Sequence, residues 1–155
     1  MSTHTHSRID VTQHAGRHVA AMIRVEQTID LDPGVRGLVK LRASQINGCA
    51  HCIDMHWTEA RARGESEHRL AQLDAWAESP YFDERERAAL TLTEAVTNVS
   101  STHVPDEAWA AAEAHFEPDE LVNLVVAIAM INAWNRIAIT SRAQPASFAE
   151  LARAS

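Results

Sequence analysis

Residues 38–56 read LVKLRASQINGCAHCIDMH, and they contain both cysteines of the 155-residue chain. Apolar residues recur at helical spacing through the first half of this stretch, and Gly48 follows where that spacing ends. Because glycine tolerates the left-handed conformation common after a helix C-terminus, we expect one helix to end there. Cys49 and Cys52 then fall at the start of the next helix. The stretch predicts two consecutive helices joined by a tight turn, with two thiols beside the turn.

The composition is that of an ordinary globular domain, with 46% hydrophobic and 23% charged residues. A chain of this length buries roughly two-thirds of its unfolded surface, so it needs no disulfide or metal to fold. The formal net charge of -7 and the lack of a basic stretch argue against a nucleic-acid or membrane surface. The first residues lack the apolar stretch of a signal peptide. We therefore expect one domain, residues 1–155, in the cytoplasm, where a cysteine pair is more often catalytic or metal-binding than structural.

The remainder of the chain also favours helices, because no sustained alternation of apolar and polar residues occurs. Asp32 before Pro33, and Asp83 three residues before Glu86, are typical of helix starts. The predicted helices cover residues 11–28, 32–47, 49–63, 66–77, 83–96, a segment that begins at 105, and 118–140. Residues 1–8 are predicted to be a disordered tail, and the segment after Pro145 a short helix or disordered. The sequence predicts an all-α bundle of about seven helices.

The apolar run 121–134 is too short to span a bilayer, and Asn123 and Asn132 interrupt it. We expect a buried core helix or a subunit-interface helix there. The polar residues near its end, Asn132, Asn135 and Arg136 beside Trp134, are interpreted as a polar cap and interface on that helix.

The spacing of the cysteines suggests thiol redox chemistry. Cys49 and Cys52 are three residues apart on one helix face, and His56 lies one turn beyond Cys52. A thiolate in the first helical turn faces unpaired backbone N–H groups, so we expect a lowered pKa for Cys52. One thiolate can attack a peroxide and become a sulfenic acid, and the other thiol can condense with it to a disulfide. Cys52 is the better candidate to attack the peroxide, and Cys49 to resolve the sulfenic acid, although the sequence leaves this order open. The sequence also leaves open which way the His51 side chain points.

Other interpretations of the same residues stay open. A zinc site of two cysteines and one histidine with an open position is possible, although a structural zinc usually has four ligands. The residues could also be two small buried side chains with a histidine that only packs. A c-type haem needs a histidine directly after the second cysteine, where Ile53 stands, and a thioredoxin site needs an α/β chain.

The stretch 38–56 resembles the core motif of the AhpD-like alkylhydroperoxidase family, within the carboxymuconolactone decarboxylase superfamily. Residues 70–77, 82–95 and 127–138 resemble further family stretches in the same order. The resemblance implies an all-helical protein that forms homo-oligomers, either trimers or hexamers. It also implies that Cys49 and Cys52 are the redox pair, that His51 and His56 are active-site histidines, and that a dithiol or lipoyl-bearing protein is the reductant. No cofactor or metal is expected.

The chain departs from the peroxidase motif at one position. A glutamate that begins the proton relay stands twelve residues before the first cysteine in that motif, and Gly37 occupies this position here. Glu26, Glu59 and Glu94 on neighbouring predicted helices are candidates to replace it. The sequence predicts a thiol peroxidase for organic hydroperoxides. A carboxymuconolactone decarboxylase-type lyase and a non-enzymatic redox-sensing oligomer are the alternatives.

Overall fold

The computed structural model describes residues 6–148, and between residues 11 and 141 it has eight α-helices and one 3-10 turn. The helices are α1 Val11–Thr28, α2 Pro33–Asn47, α3 Ala50–Ala62, α4 Glu67–Ala71, α5 Glu84–Thr97, α6 Val99–Thr102, α7 Asp106–Glu113 and α8 Pro118–Ser141, and the 3-10 turn is Leu73–Ala75. No strand occurs in the described residues. The predicted all-α fold is confirmed.

The helix starts follow the capping residues of the sequence. The Asp32 carboxylate accepts hydrogen bonds from the backbone N–H groups of Gly34 and Val35 at 2.9 and 3.0 Å. Asp83 and Glu86 form a reciprocal capping box at the start of α5. Gly48 has a φ of 68° and donates its N–H to carbonyls of the last turn of α2, which allows α3 to fold back against α2.

The bundle is arranged around α2, which packs against α3, α5 and α8. One apolar cluster joins α2, α5, α7 and α8 and includes Val39, Leu92 and Leu124. A second cluster lies between α2, α3 and the 3-10 turn. A third, smaller cluster contains both cysteines with Ala43, Ile131 and Ala138. The thiols therefore lie in the interior, where α2, α3 and α8 meet.

Three expectations about local structure need correction. Residues 7 and 8 do not belong to a disordered tail, because the Ser7 hydroxyl and the Arg8 backbone N–H donate to the Ser141 carbonyl at 3.2 and 2.8 Å. The segment 66–77 is not one helix, since α4 ends at Ala71 and a 3-10 turn follows. The short helix α6 was not predicted. Residues 146–148 form a helical turn, and residues 1–5 and 149–155 of the two predicted tails lie outside the described residues.

The longest helix, α8, lies in a segment, Pro118–Phe148, that is long and apolar enough to span a membrane by length and composition. A core helix meets the same criteria, and α8 packs against α1, α2, α3, α5 and α7. Leu124, Ile128 and Asn135 on α8 are fully buried in these contacts. The helix therefore packs as a core element beside α2.

Candidate active site

The two cysteines lie together beside the α2–α3 turn. Cys49 is the N-cap residue of α3, and its backbone N–H donates to the Ser44 carbonyl at 3.0 Å. Cys52 lies in the first turn of α3, and its sulfur is 2.7 Å from the Cys49 sulfur. Both are free thiols with exposures of only 1% and 2%. The turn at Gly48 thus presents the two sulfurs to each other, as the spacing of the residues predicts.

The two thiols differ strongly in acidity. The hydrogen bond from the Cys52 thiol lowers the pKa of Cys49 to about 6, with further help from the Cys52 backbone N–H and the charge of His51. The same hydrogen bond raises the pKa of Cys52, and burial raises it further. Either thiol can donate while both are protonated, but after one proton is lost Cys52 donates to a Cys49 thiolate. The lowered pKa expected for Cys52 is therefore found at Cys49, because the N-cap sulfur receives the hydrogen bonds.

His56 has a carboxylate partner on its own helix. Its Nδ1 atom lies 2.9 Å from Glu59 Oε2, and its ring is buried with an exposure of 4%. The hydrogen bond with His56 holds the pKa of Glu59 below its usual value, and the charges of Lys40 and Arg63 act in the same direction. Of the three candidate glutamates, Glu59 is the one that contacts His56.

The other two candidate carboxylates have different partners. Glu26 forms ion pairs with Arg36 and Lys40. Burial alone would raise the pKa of Glu26, but the hydrogen bonds from these two cations hold it below its usual value. Glu94 accepts from Arg42 Nε at 2.9 Å and from Trp76 Nε1 at 2.7 Å. Neither glutamate is hydrogen-bonded to His56.

Gly37 packs against the side chain of Arg63. A Cβ atom at this position would lie 2.7 Å from Arg63 Nη2, so the guanidinium of Arg63 fills the space next to the glycine. Gly37 and Arg63 line a separate cavity of about 290 Å³.

His51 is fixed by the segment that follows α8. Its Nδ1 atom lies 2.8 Å from the Gln144 carbonyl oxygen, so Nδ1 carries the proton and donates it. Asp54, one turn after His51, binds the Ser147 hydroxyl at 2.5 Å and the Ser147 backbone N–H at 3.2 Å. The beginning of α3 and the residues after α8 are therefore held together.

A cavity of about 570 Å³, here named the thiol cavity, opens beside the cysteines. Cys52, His51, His56 and Glu59 line it on one side, whereas Cys49 does not line it. The opposite walls are largely apolar and come from α1 and α8, and they include Val19, Ile23, Trp134 and Ile137. The ion pair of Glu26 and Lys40 also borders the cavity. A small organic molecule of mixed polarity fits this volume, with Cys52 as the thiol that it meets.

A model of the carboxymuconolactone decarboxylase family matches residues 17–95. The chain belongs to the carboxymuconolactone decarboxylase family. The uncharacterized protein YdfG of Bacillus subtilis is 46% identical over 112 residues, which are 72% of this chain and 76% of YdfG.

Solved structures show the same fold. ATU0492 of Agrobacterium tumefaciens, a protein of unknown function proposed to be the antioxidant defence protein AhpD, is 40% identical with a TM-score of 0.88. The match covers 90% of this chain and 98% of ATU0492. An alkylhydroperoxidase AhpD core from Ralstonia eutropha is 20% identical with a TM-score of 0.76, over 87% of this chain and 74% of that core. The resemblance to the AhpD-like proteins is confirmed, and the protein is an AhpD-like member of the carboxymuconolactone decarboxylase family.

Sequence reasoning missed two residues of the site. Lys40 borders the thiol cavity and was assigned no role. Asn135 lies one turn from Ile131 and one turn from Ala138, which pack against the cysteines, and it was interpreted only as part of a polar cap. Among the described residues, no group of three or more His, Cys, Asp and Glu side chains could hold a metal ion, so the Cys₂His zinc interpretation finds no support within residues 6–148.

Proposed function

We propose that this protein is a thiol peroxidase that reduces organic hydroperoxides through a dithiol–disulfide cycle of Cys49 and Cys52. The observation that carries the proposal is the pair of buried free thiols, 2.7 Å apart, at the wall of a largely apolar cavity. His56 and Glu59 add a proton donor and acceptor at the same wall. AhpD-like relatives linked to antioxidant defence support the same reaction class.

The first step begins with a thiolate on Cys49, a thiol on Cys52 and a proton on His56. Cys52 lines the thiol cavity, so it attacks the terminal oxygen of the hydroperoxide while its proton passes to the Cys49 thiolate. The O–O bond breaks, Cys52 becomes a sulfenic acid, and the alkoxide leaves. His56 gives its proton to the alkoxide to form an alcohol, and Glu59 stabilises the protonated ring before this transfer.

In the second step Cys49 attacks the sulfenic sulfur of Cys52. The S–O bond breaks, the disulfide forms, and the hydroxide leaves as water with the proton of the Cys49 thiol. In sum, two thiols and one hydroperoxide give one disulfide, one alcohol and one water. An external dithiol or a lipoyl-type protein returns two electrons and two protons to the disulfide, and no resident cofactor or metal takes part.

We further propose a homo-oligomer, either a trimer or a hexamer, in the cytoplasm. None of the residues of α1 is buried in the single chain, and Ile23 and Val25 on it are exposed by 45% and 41%. An 18-residue helix with exposed apolar side chains is typical of a surface covered by another subunit.

The direct test mixes the reduced protein with cumene hydroperoxide and measures free thiols and peroxide over time. We expect two thiols lost for each peroxide consumed, and repeated turnover when dithiothreitol is supplied. A Cys52→Ser variant is the control and should consume no peroxide. Thiol loss no faster than that of free cysteine would rule out the peroxidase. Slow oxidation without turnover would instead favour the redox-sensing oligomer.

A further inference from the structure

Amide and hydroxyl groups of α2 and α8 form a hydrogen-bonded chain beside the cysteines, and its side chains do not line the thiol cavity. Asn135 on α8 and Ser44 on α2 are both completely buried. Asn135 Nδ2 donates to Ser44 Oγ at 3.0 Å, and Asn47 Nδ2 donates to Asn135 Oδ1 at 2.9 Å. A buried polar group is costly unless it is hydrogen-bonded, so each member of this network has a defined partner.

The network determines which way the Asn135 amide points. The Ser44 hydroxyl donates its only proton to the Lys40 carbonyl at 2.7 Å, so it can only accept from its other neighbour. The Asn135 atom that faces Ser44 must therefore be the nitrogen. The side chain of Asn47 donates to the amide oxygen of Asn135.

One N–H of Asn135 remains after Ser44 is satisfied. Asn135 lies one turn from Ile131 and one turn from Ala138, which pack against both cysteines from α8, and the carbonyl of its partner Ser44 accepts from the Cys49 backbone N–H. The remaining N–H is therefore on the side of α8 that faces the thiols.

We propose that Asn135 stabilises the thiolate of the Cys49–Cys52 pair through this remaining N–H, which Asn47 and Ser44 hold towards the sulfurs. Asn135 touches the reacting sulfurs, whereas Asn47 and Ser44 are positioning residues that act through it. The sulfurs otherwise lie among Ala43, Ile131 and Ala138. In such an apolar setting a single fixed donor has a large effect on a negative charge. The Asn135 side chain acts to lower the pKa of each cysteine, although Cys49 and burial raise the pKa of Cys52 overall.

The inference deepens the proposed function, because the ionised dithiol is the form that the peroxidase cycle requires. It can nevertheless be tested without any peroxide. The ultraviolet absorbance of the thiolate, recorded against pH on the reduced full-length protein, reports the first ionisation of the pair directly. The equilibrium of the disulfide with dithiothreitol is a second measure, because a stabilised thiolate favours the reduced protein.

The test uses Asn135→Ala, with Asn132→Ala as the matched control. Asn132 lies one turn earlier on α8, accepts from the same Asn47 side chain, and donates to Thr97 Oγ1 at 3.0 Å. The Asn132→Ala change therefore disturbs the same network but removes no hydrogen-bond donor that faces a cysteine sulfur. We expect Asn135→Ala to raise the midpoint of the thiolate titration by about one pH unit and Asn132→Ala to leave it near that of the wild type. A rise from about 6 to about 7 also shifts the dithiothreitol equilibrium at neutral pH about fivefold towards the disulfide.

A second variant protects the test against a folding defect. Asn135→Asp keeps the size of the side chain and an acceptor towards Asn47, but it replaces the donor by an oxygen. It should raise the titration midpoint at least as much as Asn135→Ala, since a carboxylate repels a thiolate. Titrations of both Asn135 variants that coincide with the wild type would overturn the inference, as would an equal shift in Asn132→Ala. A protein that shows the Asn135 shift but consumes no hydroperoxide would refute the proposed function and leave this inference intact.

Discussion

Removal of the charge from Glu59 is the sharpest test of the proton chemistry. His56 Nδ1 and Glu59 Oε2 are 2.9 Å apart, and two unit charges at that distance attract each other by about 1.4 kcal/mol at the dielectric constant of water. The dielectric constant of water is the appropriate choice, because the Glu59 side chain is 49% exposed and solvent screens its charge. A loss of this size corresponds to about a tenfold slower reaction. We therefore expect Glu59→Gln to slow the oxidation of the dithiol by cumene hydroperoxide about tenfold.

The assay is stopped-flow mixing of reduced protein with excess hydroperoxide, followed by a count of free thiols at each time. Glu67→Gln is the control, because Glu67 is 70% exposed, pairs with Arg61 and does not line the thiol cavity. Its rate should equal that of the wild type. In a His56→Phe background the Glu59→Gln change should have no further effect, since both residues would act through one ring. Equal rates for the Glu59 and Glu67 variants would refute the assignment of Glu59 to the relay.

Three further outcomes are expected. The rate of thiol oxidation should rise with pH through about 6, because Cys49 loses its proton there and only the thiolate accepts the proton of Cys52; a stopped-flow pH series without this rise would contradict the role of Cys49. Cys49→Ser should form a sulfenic acid at Cys52 more slowly than the wild type and no disulfide, whereas Cys52→Ser should form neither, as mass spectrometry with a sulfenic-acid trap would show. Gly37→Ala should stabilise the fold by up to about 1 kcal/mol in urea unfolding, since alanine favours the helix. The new Cβ meets only the movable end of Arg63, and a lower urea midpoint would show that Arg63 cannot move.

The parts of the fold that the sequence predicted are those with local causes. The capping box of Asp83 and Glu86 and the left-handed Gly48 depend on residues a few positions apart. The features that were not predicted depend on contacts between distant residues or on very short segments, and neither produces a local sequence pattern. The backbone N–H of Arg8 meets the carbonyl of Ser141 across the whole chain. The helix α6 has four residues, which is too short for a periodic pattern.

The candidate site divides in the same way. Cys49, Cys52 and His56 share one helix, so their spacing was sufficient to group them. Asn135 lies on α8 between Ile131 and Ala138, which pack against the cysteines, and no pattern in the sequence relates it to them. The site of the negative charge was also beyond the sequence, because it depends on which sulfur receives the hydrogen bonds rather than on which residue is nearer the helix start.

Gly37 and Glu59 are linked through Arg63, whose guanidinium lies next to the glycine and whose charge acts on the carboxylate. The charge of Arg63 helps to hold the pKa of Glu59 low. Lys40 of α2 acts on Glu59 in the same direction. The glycine therefore gives room to a cation that supports a carboxylate elsewhere, three residues after His56. Because residues three apart on a helix are neighbours by geometry, the contact of His56 with Glu59 does not depend on the exact distance between α2 and α3. A carboxylate on α2 would have to reach His56 across that interface. In the proposed cycle Glu59 therefore supplies the carboxylate that the peroxidase motif has at position 37.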